Sequence, residues 1–155
     1  LAAGSVLPEV GAAVEGHTIL LPGDWKYEMI EVWGSHTLWA GDDEVIVQDR
    51  EGMTKHGYSP ISGAYYSARL AVCEYLKSIR RSARVIVVRS ISSDYWAPLG
   101  TWVIREAARK AMSSPPVSCT SLDMAVAQAV LLTGPGTWVP HSTLIPEMRT
   151  QRTLF

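Results

Sequence analysis

One run of four residues, Val85-Ile86-Val87-Val88, constrains the fold more than any other part of the chain. All four side chains are apolar and β-branched, so the run predicts a strand that is covered on both faces, at the centre of a sheet. Pro98 follows soon after it, and the fixed φ angle of proline suits the first turn of a helix. We therefore expect a helix that begins near Ala97 and packs through apolar residues 99, 102, 103, 107 and 111.

Short segments before this unit predict three or four further strands, which we expect to be antiparallel neighbours because tight turns join them. These segments are residues 17–21, 25–33, 36–39 and 44–48. A polar loop over residues 49–60 leads to an amphipathic helix predicted over residues 61–82, and a last helix runs from a capping box at Thr120 to about Leu132. The fold class is therefore α+β, with a mostly antiparallel sheet and about three helices packed on it.

The length of 155 residues is that of one ordinary domain. We expect a lead-in or linker at residues 1–16, a single α+β domain at residues 17–148 and a C-terminal tail at residues 149–155. No apolar run approaches the roughly 18 residues that a membrane helix needs, so we expect no membrane association. The residues at the N-terminus lack the basic start and apolar core of a secretion signal.

Cysteine and histidine usage argues against a metal site. Cys73 and Cys119 are the only cysteines, and they lack the CxxC spacing of a zinc site or the number needed for a disulfide framework. The four histidines are scattered along the chain. We therefore expect no metal, no cofactor and a cytoplasmic location.

The charges are unevenly distributed. Residues 1–51 contain ten acidic and two basic side chains, whereas residues 77–110 contain eight basic and two acidic ones. Either the two regions neutralise each other, or the basic region forms a surface for phosphate or nucleic acid. The predicted phosphate-binding residues are Arg69, Arg89, Arg105 and Arg109, three of which would converge where the central strand meets its helix.

Glutamates are the candidates for acid/base chemistry, and Glu28, Glu31 and Glu106 are the predicted catalytic residues. On a strand Glu28 and Glu31 face opposite ways, so they cannot act together on one substrate, and we interpret them as partners of the arginines. Phosphate-loop, zinc-protease and serine-hydrolase motifs are absent from the sequence. An enzyme that acts on a nucleotide or another phosphorylated small molecule through the arginines is the alternative function.

The chain contains six tryptophans and one phenylalanine. Five of them lie in or beside predicted core elements, where packing is the favoured interpretation: Trp25, Trp33, Trp39, Trp96 and Trp102. A platform on which bases stack would also place aromatic side chains beside arginines.

The C-terminal residues predict a partner-binding peptide. Gln151 is followed three residues later by Leu154, and Phe155 ends the sequence. This spacing matches the start of the peptide by which DNA-processing proteins bind the sliding clamp, in which glutamine enters a polar pocket and an aliphatic and aromatic plug fills an apolar one. The usual peptide continues to further aromatic residues, so the match covers its first part.

Several stretches together resemble the C-terminal half of the archaeal Nre family, and they span most of the chain. They are residues 25–33 (WKYEMIEVW), 63–72 (GAYYSARLAV), 94–106 (DYWAPLGTWVIRE) and 149–154 (RTQRTL). The resemblance implies an archaeal, cytosolic protein that acts in DNA repair with the PCNA sliding clamp and binds DNA. The family's N-terminal portion, with its cysteine-rich zinc-binding segment, has no counterpart in this sequence. The resemblance does not imply a particular reaction.

Overall fold

The predicted central strand lies in the middle of the sheet. The structure is a computed structural model that describes residues 4–10, 14–94 and 100–151, with side chains from residue 17 to residue 150 outside the gap. Strand β5 (Ala83–Ile91) has neighbours on both sides. Val85, Ile86 and Val88 are fully buried and Val87 is 4% exposed, so the prediction of a strand covered on both faces is confirmed.

The described residues form six strands in one sheet. Besides β5, they are β1 (Gly4–Val10), β2 (Val14–Pro22), β3 (Lys26–Trp33), β4 (Val45–Glu51) and β6 (Val117–Cys119). Their order is β4-β3-β5-β2-β1-β6. Four of the five neighbouring pairs in this part of the chain are antiparallel, and β3 and β5 are parallel, so the mostly antiparallel sheet is confirmed.

The order of the strands differs from the prediction. β2 and β3 are consecutive in the sequence, but β5 lies between them, antiparallel to β2 and parallel to β3. An all-apolar strand needs neighbours and cover on both sides, so β5 takes the centre and is reached through a helical crossover. Residues 36–39 form turns instead of a strand, and His36 adopts a φ of 62° there.

Four α-helices in the described ranges cover the two faces of the sheet, and together with the strands they confirm the α+β class. They are α1 (Gly63–Ile79), α2 (Thr101–Ser113), α3 (Leu122–Thr133) and α4 (Leu144–Gln151). Alternate residues of β5 separate the two cores: Val85 and Val87 pack with α1 and α2, whereas Ile86 and Val88 pack with α3 and α4. No helix within the described ranges combines the length and the hydropathy that a membrane crossing requires.

Three of the described strands and α-helices were not predicted from the sequence: β1, β6 and α4. β6 follows Pro115 and Pro116, which indicate a break in the chain and not a strand. β1 falls within the expected lead-in, and its Pro8 weakens the strand signal. β6 pairs with residues 4–6 of β1, whereas Pro8 is paired with β2. Among the described strands Pro8 therefore has a neighbour on one side, and such an edge position tolerates proline. α4 has 8 residues and contains Pro146, too short a segment to show a helical period, yet its Leu144 and Ile145 are each 1% exposed.

The face that α2 buries also differs from the prediction. Trp102, expected in the apolar stripe, is 62% exposed, whereas Ala108, Ala111 and Met112 are buried. The inner face of α2 carries the small side chains of Ala108 and Ala111, which allow close packing against α1. A prediction from hydrophobicity alone places the larger Trp102 side chain on the buried face instead. The expected start of the helix near residues 97 and 98 lies outside the described residues.

His17 is buried on the face of β2 that packs against α3, at 2% exposure. Burial disfavours the charged imidazolium and lowers the pKa of His17 below its ordinary value, an effect that the backbone of Leu132 partly opposes. The unfolded chain therefore binds this proton more readily than the folded chain does. Stability that is present above the ordinary histidine pKa is lost as the pH falls through the folded-state value.

We expect His17→Leu to remove this part of the acid destabilisation. The free energy of unfolding, measured with urea at about pH 7.5 and about pH 5.5, on either side of the ordinary histidine pKa, should fall less for the variant than for the native chain. His141→Gln, at an exposed position, is the control and should keep the native pH dependence. An equal loss of stability in His17→Leu and the native chain would contradict the prediction.

Candidate functional site

Arg89 and Glu31 form a buried ion pair between the two parallel strands. Arg89 Nη1 lies 2.6 Å from Glu31 Oε1, and the two side chains are 7% and 6% exposed. Trp33 Nε1 donates a hydrogen bond of 3.1 Å to the other carboxylate oxygen, and Arg89 Cζ lies 5.9 Å from the centroid of the Trp33 ring. The positive charge of the Arg89 guanidinium is therefore neutralised by a carboxylate inside the fold.

Glu51, at the end of β4, accepts hydrogen bonds from three side chains. Its carboxylate accepts hydrogen bonds from Arg69 Nε at 2.6 Å, the Tyr65 hydroxyl at 3.0 Å and Trp25 Nε1 at 3.3 Å. The Glu51 side chain is 3% exposed, whereas that of Arg69 is 41% exposed. Burial and the adjacent Glu51 charge raise the pKa of Tyr65, so its hydroxyl stays protonated and remains a donor.

Arg105 and Arg109 belong to a surface network between α1 and α2. Arg109 binds Glu74 of α1 through two parallel hydrogen bonds of 2.8 and 2.7 Å, and its Nη1 donates to Glu106 at 2.6 Å. Arg105 Nε lies 3.7 Å from Glu106. The hydrogen bonds from Arg109 lower the pKa of Glu74, and the same contacts raise the pKa of Arg109. This network joins the outer surfaces of the two helices.

The four arginines predicted to bind phosphate therefore lie in three separate ion-paired groups. Arg105 and Arg109 share Glu106, whereas Arg69 and Arg89 each bind a different glutamate of the sheet. Glu31, from the acidic residues 1–51, neutralises Arg89 of the basic region, as one of the two interpretations predicts. Arg105 and Arg109 of that region pair with Glu74 and Glu106 instead. The side chains of Arg69, Arg105 and Arg109 retain exposures of 41%, 41% and 39%, so they also face solvent.

Glu28 holds the start of α4. The carboxylate is fully buried and accepts hydrogen bonds from Ser142 Oγ at 2.5 Å, Gln48 Nε2 at 2.6 Å, and the backbone N–H and hydroxyl of Thr143 at 2.8 and 2.9 Å. Ser142 Oγ in turn accepts a hydrogen bond of 3.1 Å from Ile145 N. Hydroxyl, amide and backbone donors thus surround Glu28, and the carboxylate caps the positive end of the helix.

The glutamates predicted as catalytic residues lie apart. Glu28 faces α4, and Glu31 faces the side of α1 and α2, as the alternation of a strand predicts. Glu106 lies on α2 with its arginine partners. The expectation that arginines pair with both sheet glutamates is correct for Glu31, whereas the donors around Glu28 are of other kinds. Within the residues described, no group of three or more His, Cys, Asp or Glu side chains is arranged to hold a metal ion.

A cavity of about 300 Å³ lies between the ends of β3 and β4, the loop that follows β4, and α4. Lys26 and Arg50 line it and both pair with Glu147 of α4, while Lys55 pairs with Asp49 at 2.6 Å. Burial alone would raise the pKa of Asp49, but hydrogen bonds from Lys55 and Ser59 outweigh it and lower that pKa. The polar loop was predicted, but the cavity was not, because Glu147 comes from a helix that the sequence did not reveal.

The tryptophans divide between core and surface. Trp138 is 1% exposed and Trp33 is 9% exposed, whereas Trp39 and Trp102 are 70% and 62% exposed. Core packing is therefore the wrong interpretation for Trp39 and Trp102. Trp96 lies outside the described residues.

The predicted C-terminal tail begins inside a helix. Arg149 donates hydrogen bonds of 3.1 and 2.7 Å to Asp123 of α3, and Gln151 is the last residue of α4. The side chain of Gln151, with Leu154 and Phe155, lies outside the described part of the structure. The start of the expected tail is thus attached to the folded domain.

We expect Arg89→Met to destabilise the fold by about 3–5 kcal/mol, because it leaves the buried Glu31 carboxylate without its cation. The double variant Glu31→Gln/Arg89→Met should recover part of that loss, since it removes both charges. Urea unfolding of the native chain, both single variants and the double variant measures the coupling. A double variant less stable than Arg89→Met would contradict the assignment of a coupled buried pair.

Comparison with known proteins identifies relatives of this chain. It is 41% identical over 112 residues to the DNA repair protein NreA of Archaeoglobus fulgidus, a match that covers 72% of this chain and 29% of that protein. It is 42% identical over 98 residues to the DNA repair protein NreA of Haloferax volcanii, with 60% and 23% covered. It is 37% identical over 141 residues to the DNA repair protein NreB of Archaeoglobus fulgidus, with 88% and 36% covered.

The chain thus spans about a quarter to a third of the length of the curated relatives it matches. No solved structure matches it. The family model for the C-terminal part of archaeal Nre proteins matches residues 50–155, which is more than half of the sequence and includes β5 and all four described helices. The chain belongs to the archaeal Nre family.

Proposed function

We propose that this chain acts in DNA repair and is recruited to DNA by the PCNA sliding clamp through its C-terminal peptide. The proposal depends chiefly on one observation: a family member whose relatives are named DNA repair proteins carries Gln151 and Leu154 at clamp-peptide spacing, with Phe155 directly after the leucine. The glutamine supplies the polar anchor of such a peptide, and the leucine and phenylalanine supply its apolar anchor.

The attachment of α4 supports this role. The buried Glu28 carboxylate caps the start of the helix, and the salt bridge between Arg149 and Asp123 fixes its last turn to α3. Met148 is 3% exposed, so the helix is also held by the core. The peptide therefore follows a rigid element at once, and a clamp bound to it would lie close to the domain.

Contact with DNA is the second part of the proposal. Arg69, Arg105 and Arg109 are partly exposed and are the side chains that we assign to phosphate contact. Arg89, also predicted as a phosphate contact, is assigned to the support of the sheet because its side chain is 7% exposed and bound to Glu31. Phosphate contacts of this kind neutralise backbone charge and make binding sensitive to salt.

We expect Gln151→Ala/Leu154→Ala to weaken binding to the PCNA clamp at least about tenfold in titration calorimetry, because both anchors of the peptide are removed. Thr153→Ala is the matched control, since it changes a residue between the anchors, and should bind as the native chain does. Thermal unfolding should be unchanged in both variants. Undiminished clamp binding by the double variant would remove the peptide from the proposed function.

A further inference from the structure

We propose that the cavity beside α4 binds a phosphate monoester group, of the kind carried by a mononucleotide or by the phosphorylated end of a DNA strand. The cavity is distinct from the C-terminal peptide and from the four arginines assigned above. The inference goes beyond clamp recruitment and does not depend on it.

The lining of the cavity carries three cations, Lys26, Arg50 and Lys55, and three carboxylates, Asp49, Glu51 and Glu147, and two of the cations share one carboxylate. Lys26 pairs with one oxygen of Glu147 and Arg50 Nη1 with the other, at 3.0 Å for Arg50, so a single carboxylate serves two cations. Lys55 is neutralised by Asp49, and Glu51, which also lines the cavity, is neutralised by Arg69 from outside it. An anion that displaces Glu147 therefore meets two cations, Lys26 and Arg50, whose ion pairs among the described residues are both with that one carboxylate.

The donors around the cavity suit a phosphate. The Arg50 side chain is 49% exposed, and among the described residues its guanidinium makes a single hydrogen bond, to Glu147, of the five that it can donate. A planar guanidinium binds two phosphate oxygens at once, and an ammonium beside it supplies a point charge. His56 and Thr54 also line the cavity and are exposed.

The size of the cavity selects a terminal group. Its volume of about 300 Å³ is at the lower end of the range for small-molecule sites. Two of its lining residues, Tyr27 and Leu144, are 0% and 1% exposed, so the core closes its inner side. Such a space admits a phosphate group with the sugar attached to it, whereas a DNA duplex is too wide to enter. A terminal phosphate monoester also carries about −1.5 to −2 charges, more than an internal diester does.

Glu147 competes with the ligand. Its carboxylate occupies the two cations that the phosphate would bind, so binding must displace it. Glu147→Gln keeps the shape of the side chain and removes the competing charge. This variant is expected to bind phosphate more tightly, whereas Arg50→Gln and Lys26→Gln are expected to bind it more weakly. If these ion pairs served only to stabilise the fold, removal of the Glu147 carboxylate would not increase the affinity for phosphate.

Titration calorimetry at low ionic strength tests the proposal with four probes: inorganic phosphate, a 5′-mononucleotide, a 5′-phosphorylated single-stranded oligonucleotide and the same oligonucleotide with a 5′-hydroxyl. We expect binding of the phosphorylated probes, weakened at least about tenfold by Arg50→Gln and tightened several-fold by Glu147→Gln. The hydroxyl-ended oligonucleotide should bind more weakly than its phosphorylated counterpart. Tighter binding of the mononucleotide or of the oligonucleotide identifies the source of the phosphate.

Arg149→Gln is the matched control. It removes an exposed arginine from α4, the helix that carries Glu147, at a position outside the cavity lining. It should leave phosphate binding unchanged. The unfolding temperature of every variant should lie well above the temperature of the titration, so that each variant is folded when binding is measured. The proposal is overturned if no phosphorylated probe binds, if Arg50→Gln and Arg149→Gln have equal effects, or if the hydroxyl-ended oligonucleotide binds as tightly as the phosphorylated one. Clamp binding, measured on Arg50→Gln and Lys26→Gln, should stay at the native level, so failure of this proposal is distinguishable from failure of recruitment.

Discussion

The burial of the Glu28 carboxylate between the sheet and α4 is the interaction on which the arrangement of the C-terminal part of the chain depends. A carboxylate is costly to bury, and here two hydroxyls, a side-chain amide and two backbone N–H groups offset that cost. Because Ser142 and Thr143 supply these donors, the carboxylate fixes where α4 begins. The helix then covers one core, and its last residue is the first anchor of the proposed clamp peptide.

Two further glutamates extend the same principle to the rest of the sheet. Glu31 binds Arg89 across the parallel strands, and Glu51 binds Arg69 of α1. In each case an acidic residue of the first third of the chain neutralises a basic residue from later in it. Arg105 and Arg109 of the basic region pair instead with Glu74 and Glu106, which lie outside the first third. The cavity beside α4 is different, because Lys26 and Arg50 share one carboxylate there.

Much of the fold could be predicted where local sequence and final structure agree. The β-branched run of β5 and the amphipathic period of α1 both identify their elements. The capping box predicted at Thr120 places the start of α3 to within one residue, since Ser121 is the cap and accepts a hydrogen bond from Met124 N. The order of the strands could not be predicted, because no local signal states that β5 inserts between β2 and β3. α4 was missed because eight residues with an internal proline show no period, and its stability comes from Glu28, a residue more than a hundred positions away.

The candidate site was predicted in its residue types more than in its geometry. Partners for the arginines were foreseen, since Arg69 and Arg89 bind sheet glutamates, but burial separates Arg89 from the others in a way that the sequence does not encode locally. Exposure of Trp39 and Trp102 likewise depends on how a turn and a helix are oriented. The cavity requires Glu147 beside Lys26 and Arg50, and that proximity exists only once α4 is docked.

The central claim is that α4 belongs to the folded domain and presents the peptide from it. Amide hydrogen exchange at Thr143 and Ile145, whose N–H groups bond to Glu28 and Ser142, tests this directly. We predict protection close to that of Val87 in β5, lost only when the whole domain unfolds. Exchange at the rate of an unstructured peptide, with β5 still protected, would show that the C-terminal segment is a free arm and would contradict the claim.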